Sequence, residues 1–202
     1  MIREKCIGSF LEAIEAQELG AERVELCDNL EEGGTTPSYG TIKMVAEKLE
    51  IPAFVIIRPR GGDFFYTQEE IEIMKEDIKV CKELGIKGVV IGALNRDNTI
   101  NYEATKEMVE LAKPMSVTFH KAIDELENPV GEIKKLAQIG VNRILTSGTK
   151  ETAIEGKDIL NSMIKEAGDD IIIIAAGKVT KDNLKDISEI IPTKEYHGKK
   201  IV

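Results

Sequence analysis

The feature that most limits what this chain can fold into is an alternation sustained from end to end: short apolar runs of strand length, separated by longer amphipathic stretches. Strand-like runs start near Ile2, Glu22, Ala53, Lys87, Met115, Asn142, Asp170 and Glu195. Apolar spacing predicts helices over 10–19, 38–49, 67–84, 102–113, 129–139 and 155–167, with a shorter one over 181–187. Strands joined by helical crossovers pair in parallel, so the pattern calls for a mainly parallel sheet. Three units close alike, at Leu19-Gly20, Leu84-Gly85 and Ile139-Gly140, where glycine ends a helix in the left-handed conformation. Eight strands predict a closed (β/α)8 barrel of the TIM type. The alternative is an open doubly wound sheet. That fold usually carries a Gly-rich dinucleotide turn after its first strand, and here the turn reads Cys6-Ile7-Gly8-Ser9-Phe10. At 202 residues the barrel is compact, since about 250 is typical. The economy falls in a reduced eighth unit that lacks a full final helix.

Charge and cysteine content narrow the function. With 27 Lys+Arg against 36 Asp+Glu the net charge is −9, which excludes the basic surface that nucleic acid or an anionic membrane requires. The longest apolar run, Ile171 to Ala176, is too short to cross a bilayer, and Met1-Ile2-Arg3-Glu4-Lys5 lacks the apolar core of a signal peptide. Cys6, Cys27 and Cys81 are an odd set with no disulfide framework. These features point to a cytoplasmic protein with reduced thiols.

In such a barrel the site forms at the C-terminal ends of the strands and in the loops that follow. Three groupings arise there. The first is a thiol pair: strand alternation puts Glu25 and Cys27 on one face, and Glu4 and Cys6 share a phase on the neighbouring strand. Two thiolates in near-linear arrangement suit a soft ion, Cu(I) above all, whereas zinc would want four ligands. Two small buried residues are the alternative. Cys81, in phase with Ile71 and Ile78, reads as helix packing. The second grouping is an anion site. Arg58 and Arg60 flank Pro59 before Gly61-Gly62-Asp63. The glycine loops Ser147-Gly148 and Gly177-Lys178 follow strands six and seven, where barrels often bind phosphate. An internal ion pair of Arg58 with Glu25 or Glu4 is equally open. The third is acid–base: His120 and His197, the only histidines, both fall at strand ends. Asp124 lies one turn after His120, and Glu4, Glu25 and Glu195 are near. No lysine lies mid-strand on an inward phase, so a Schiff-base aldolase is disfavoured.

Val24-Glu25-Leu26-Cys27 with Glu32-Gly33-Gly34-Thr35-Thr36-Pro37-Ser38, then Arg58-Pro59-Arg60-Gly61-Gly62-Asp63-Phe64, Thr118-Phe119-His120-Lys121-Ala122-Ile123-Asp124 and Leu145-Thr146-Ser147-Gly148 resemble the motifs of the CutC copper-homeostasis family. The match runs from Glu4 to His197. The resemblance implies a cytoplasmic TIM barrel, a homo-oligomer, and Cys6 and Cys27 as Cu(I) ligands. It also implies a polar mouth of Glu4, Glu25, Arg58, Arg60, Asp63, His120, Asp124, Ser147 and His197, which copper alone does not explain. Lys121 departs from the arginine frequent in relatives, and the chain lacks the C-terminal segment of longer members. Two functions follow as expectations. One is Cu(I) binding in copper homeostasis. The other is an isomerase- or lyase-like enzyme, in which Arg58 and Arg60 hold a small phosphorylated or carboxylated metabolite and His120, Glu25 or Asp124 moves a proton.

Overall fold

The computed structural model describes residues 1–202, and its eight strands close into a parallel barrel in sequence order. The strands are β1 (Ile2–Ile7), β2 (Arg23–Leu26), β3 (Ala53–Ile56), β4 (Gly88–Ile91), β5 (Ser116–Phe119), β6 (Arg143–Thr146), β7 (Ile172–Ala175) and β8 (Glu195–Gly198). Each pairs in parallel with the next, and β8 returns to β1 with Ile2 opposite Glu195 and Glu4 opposite His197. Between them run α1 (Phe10–Glu18), α2 (Tyr39–Lys48), α3 (Gln68–Glu83), α4 (Tyr102–Ala112), α5 (Ile133–Gln138), α6 (Lys157–Ala167) and α7 (Leu184–Ile190). No helix follows β8.

Local chemistry sets the helix starts. Ser9, Ser38, Thr67 and Asn101 each accept a backbone N–H from the first turn, and Thr67 forms a reciprocal capping box with Glu70. Two helices differ from the periodicity. α5 begins later than residue 129 because Val130–Glu132 make a tighter 3₁₀ turn after Pro129. α7 begins at Leu184 because the Asn183 side chain accepts from Thr180 N at 2.8 Å and holds 180–183 as a turn.

The core divides at the sheet. One large cluster lies between strands and helices and includes Val24, Leu26, Val55, Val89 and Ile91 with Ile42, Met74, Ile78 and Met108. Apolar residues inside the barrel are few: Cys27, Phe54, Ile56 and Val90 on one side, Leu145, Ile174 and Ala176 on the other. The rest of the interior is charged. Arg23 donates to both Glu4 and Glu195, Arg143 donates to Glu195 at 3.0 Å, and both guanidinium groups lie over the Phe54 ring, at 4.6 and 5.4 Å from its centre. A barrel filled this way carries its polarity along its axis and meets solvent at the mouth.

Candidate metal and anion site at the barrel mouth

β1 and β2 bring the thiols together. Their register sets Cys6 opposite Glu25, and Cys27, one residue past β2, donates its backbone N–H to the Ile7 carbonyl. The Cys6 and Cys27 sulfurs and a Glu25 carboxyl oxygen lie within 4.8 Å of one another. The loop after β2 folds back over them through an antiparallel bridge between Asp28 and Thr35. At Gly34 (φ +93°) a Cβ would lie 3.4 Å from the Cys27 sulfur and 3.2 Å from Ile56, so glycine meets both the left-handed backbone and the close approach.

His197 links this cluster to the barrel interior. Its Nδ1 lies 2.9 Å from Glu4 and its Nε2 3.6 Å from Glu25. Hydrogen bonding from Cys27 holds the Cys6 thiol well below the usual thiol range, against its burial, and the His197 imidazolium adds to the effect. The Cys27 thiol is correspondingly raised by donating to Cys6 and by burial. Burial opposes charge on His197, but Glu25, Cys6 and Glu4 outweigh it and raise its pKa well above the ordinary value. Burial likewise opposes charge on Glu4, yet His197 and Arg23 hold that carboxyl down at about 2. Burial pushes Glu25 up to about 8. The cluster thus sets a Cys6 thiol whose ionised form is favoured beside a His197 ring whose charged form is favoured, with the Cys27 thiol in contact.

Above the sulfurs opens a cavity of about 230 Å³. Cys6, Glu25, Cys27, Arg58, His120 and His197 all line it, so residues from β1, β2, β8 and the ends of β3 and β5 converge as the strand-end reading requires. Arg58 does not pair with Glu25 or Glu4. Its guanidinium donates instead to the carbonyls of Glu32 (2.7 Å), Gly34 (2.9 Å) and Gly62 (2.6 Å), clamping the β2 and β3 loops, while Glu4 takes Arg23. The Phe64 ring packs against both Arg58 and His120, 4.9 Å from the guanidinium carbon and 4.9 Å from the imidazole centre. Gly92 makes the histidine's position possible: a Cβ there would lie 2.3 Å from the His120 ring. The glycine ending β4 thus gives room to a protein side chain.

Several expected site residues stand apart from this cavity. Arg60 turns outward to Glu70 (2.5 Å), Asp63 (3.1 Å) and the Phe65 carbonyl, and Asp63 is exposed. Asp124 is a loop anchor. It accepts from Thr146, from Ser147 N at 3.1 Å and from Thr149 N at 3.0 Å. Ser147 bonds the Lys150 carbonyl and receives Lys121. A Cβ at Gly148 would lie 2.3 Å from the Gly156 carbonyl, and one at Gly177 would lie 2.8 Å from Ala153 N. The loops after β6 and β7 are therefore packed on each other, with their glycines spent on chain contacts. Glu195 begins β8 and lies at the barrel floor, away from the mouth. Leu30, Phe64 and Lys199 line the cavity without having been singled out by sequence. Nothing in their local spacing distinguishes them from ordinary loop residues.

A parallel (β/α)8 barrel with a paired-thiol pocket at its C-terminal mouth is the class that fold and site define. The chain belongs to the CutC family, whose model matches residues 1–202. A human relative, the copper homeostasis protein cutC homolog, is 41% identical over 196 residues, covering 97% of this chain and 72% of the relative. A family protein CutC from Parabacteroides distasonis is 43% identical, with 97% and 81% covered. The crystal structure of CutC from Streptococcus agalactiae superposes with a TM-score of 0.94 at 34% identity, covering all of both chains. Deoxyribose phosphate aldolase from Aeropyrum pernix shares the barrel alone, with a TM-score of 0.74 at 12% identity over 98% of this chain and 86% of its own.

Proposed function

We propose that this protein serves copper homeostasis in the cytoplasm by binding Cu(I) between Cys6 and Cys27. The observation that carries the reading is the pair of cysteine sulfurs within 4.8 Å of each other at the barrel mouth. Metal–sulfur bonds of about 2.3 Å, the zinc–thiolate length, set two sulfurs about 4.6 Å apart in a linear bridge. The donor chemistry fits as well. Thiolates select soft monovalent copper, and the hydrogen bond from Cys27 and the neighbouring His197 favour the ionised form of Cys6. Copper arriving here displaces the proton of Cys27. The names of the human and mouse relatives support the same assignment. Cys81 takes no part, being buried in α3 with its thiol pushed up to about 12 by burial. Assembly into a homo-oligomer belongs to the same proposal, and light scattering on the purified protein tests it.

The deciding experiment is an anaerobic Cu(I) competition titration under reducing conditions on wild type and on Cys6→Ser/Cys27→Ser. The expected result is tight one-to-one binding by wild type, lost in a double variant that remains folded by circular dichroism. Equal and weak binding by both proteins would sink the copper assignment.

A further inference from the structure

We propose that the barrel mouth is also a four-donor site for a divalent ion of the zinc class, with Cys6, Glu25, Cys27 and His197 as its ligands. The site shares two sulfurs with the copper reading but stands on Glu25 and His197, so either assignment can fail alone.

Glu25 is the group that a bridge between two sulfurs leaves unexplained. It is 4% exposed, and no N–H or hydroxyl of the protein donates to its carboxyl. A buried carboxyl without a donor is costly, and a proton or a cation relieves it. One of its oxygens lies within 4.8 Å of both cysteine sulfurs. His197 stands beside it: the ring Nε2 is 3.6 Å from Glu25, and the ring also hydrogen-bonds Cys6. The other ring nitrogen, Nδ1, lies 2.9 Å from one Glu4 oxygen, while Arg23 donates to the second. Glu4 is therefore an acceptor, and Nδ1 carries the hydrogen. In the neutral ring this leaves the Nε2 lone pair for a metal, which takes the place of the proton held there in its absence. A carboxylate behind the far nitrogen of a histidine is the arrangement that orients histidine ligands in metal sites.

The donor set chooses the ion. Sulfur, imidazole nitrogen and carboxylate oxygen are the ligand types of zinc, which takes four of them in a tetrahedron. The sulfurs disfavour magnesium, calcium and manganese, which prefer oxygen throughout. Cu(I) is served by the sulfurs and leaves the carboxyl and the imidazole unused. Charge points the same way. Two thiolates and a carboxylate carry three negative charges, which a divalent ion offsets more fully than a monovalent one in a buried site. The spacing is close to what is needed, since bonds of about 2.0–2.3 Å set tetrahedral ligand atoms roughly 3.3–3.8 Å apart. The 3.6 Å between Glu25 and His197 already falls in that range, and the two sulfurs need draw together by no more than about 1 Å. All four residues line the mouth cavity, which gives the ion its path of entry.

The test uses metal-free, reduced wild-type protein and Zn(II) alone, in competition with a chromophoric chelator. One-to-one binding is expected. X-ray absorption of the loaded protein should show two sulfurs at about 2.3 Å and two nitrogen or oxygen neighbours at about 2.0–2.1 Å. Glu25→Gln and His197→Gln, which roughly keep side-chain size, should each weaken Zn(II) binding at least about tenfold, the smallest cost of losing even an outer-shell partner. The absorption measurement needs no variant, so the proposal stays open to failure even where a substitution prevents folding. No saturable Zn(II) binding by wild type, a metal shell of sulfur alone, or less than about tenfold weakening in either folded variant would each overturn the four-donor site. Cu(I) titration of the same protein is read separately. Binding of Cu(I) without Zn(II) leaves the copper reading standing alone, and binding of Zn(II) without Cu(I) leaves this one.

Discussion

His120 shows how one buried side chain can shape the behaviour of the mouth. Burial, with a smaller contribution from the Arg58 charge, depresses its pKa to about 3, and the Ala122 N–H fixes its tautomer. In the unfolded chain the same imidazole takes up a proton near pH 6.5. Above that pH both states are neutral and the residue's contribution to stability is fully present. As pH falls from 6.5 towards 3 the unfolded state gains a proton that the folded state refuses, so stability is lost, on the order of 1 kcal/mol per pH unit. Urea unfolding of wild type and His120→Gln across this window checks it: the difference between the two should shift steadily against wild type as pH falls. Parallel profiles would show that His120 does not titrate as buried. The strand-end position of this histidine is visible in the sequence. Its neutrality is not, because that depends on Gly92, twenty-eight positions earlier, giving room to the ring, and on Phe64 covering it.

At the level of elements, the loops that build the mouth are held by side chains whose types suggested chemistry. Asp124, within the 3₁₀ turn Lys121–Glu125, ties the β5 exit to the β6 exit through two backbone N–H groups and the Thr146 hydroxyl. Removing the carboxylate in Asp124→Ala leaves those N–H groups without acceptors, at a cost of about 1–3 kcal/mol. The expected outcome is a lowered melting temperature with Cu(I) affinity at Cys6 and Cys27 kept. An unchanged melting temperature would show that Asp124 is free to act in chemistry. Strand order and helix number are legible from apolar periodicity because the period follows from burial of one helix face and both strand faces. The role of Asp124 is not, since a carboxylate one turn after a histidine looks the same whether it faces a ligand or the next loop. The same holds for Arg60, whose partner Glu70 belongs to the capping box that starts α3.

Across the whole molecule, the polar side chains form one connected column along the barrel: Arg143 to Glu195, Glu195 to Arg23, Arg23 to Glu4, Glu4 to His197, and His197 to Glu25 and the thiols. The sequence places Arg23, Arg143 and Glu195 at strand starts, but their meeting across the interior comes from barrel closure, which brings β8 against β1. Arg23 is the hinge of the column because it alone touches both Glu4 and Glu195, each buried. In Arg23→Met the volume is roughly kept while two carboxylates lose their shared cation, and breaking a buried pair in this way costs about 3–5 kcal/mol. The triple variant Arg23→Met/Glu4→Gln/Glu195→Gln removes the stranded charges and should recover much of that loss, since neutral replacement of a buried ionic group is often tolerated. It also removes one of the carboxylates that favour the charged form of His197, beside Glu25, so the ionised form of Cys6 should be less favoured even where the fold is restored. Urea denaturation of both variants, with thiolate absorbance read against pH, separates the two effects. A restored fold with an unchanged Cys6 titration would show that the column supports the barrel alone and does not tune the thiol at its mouth.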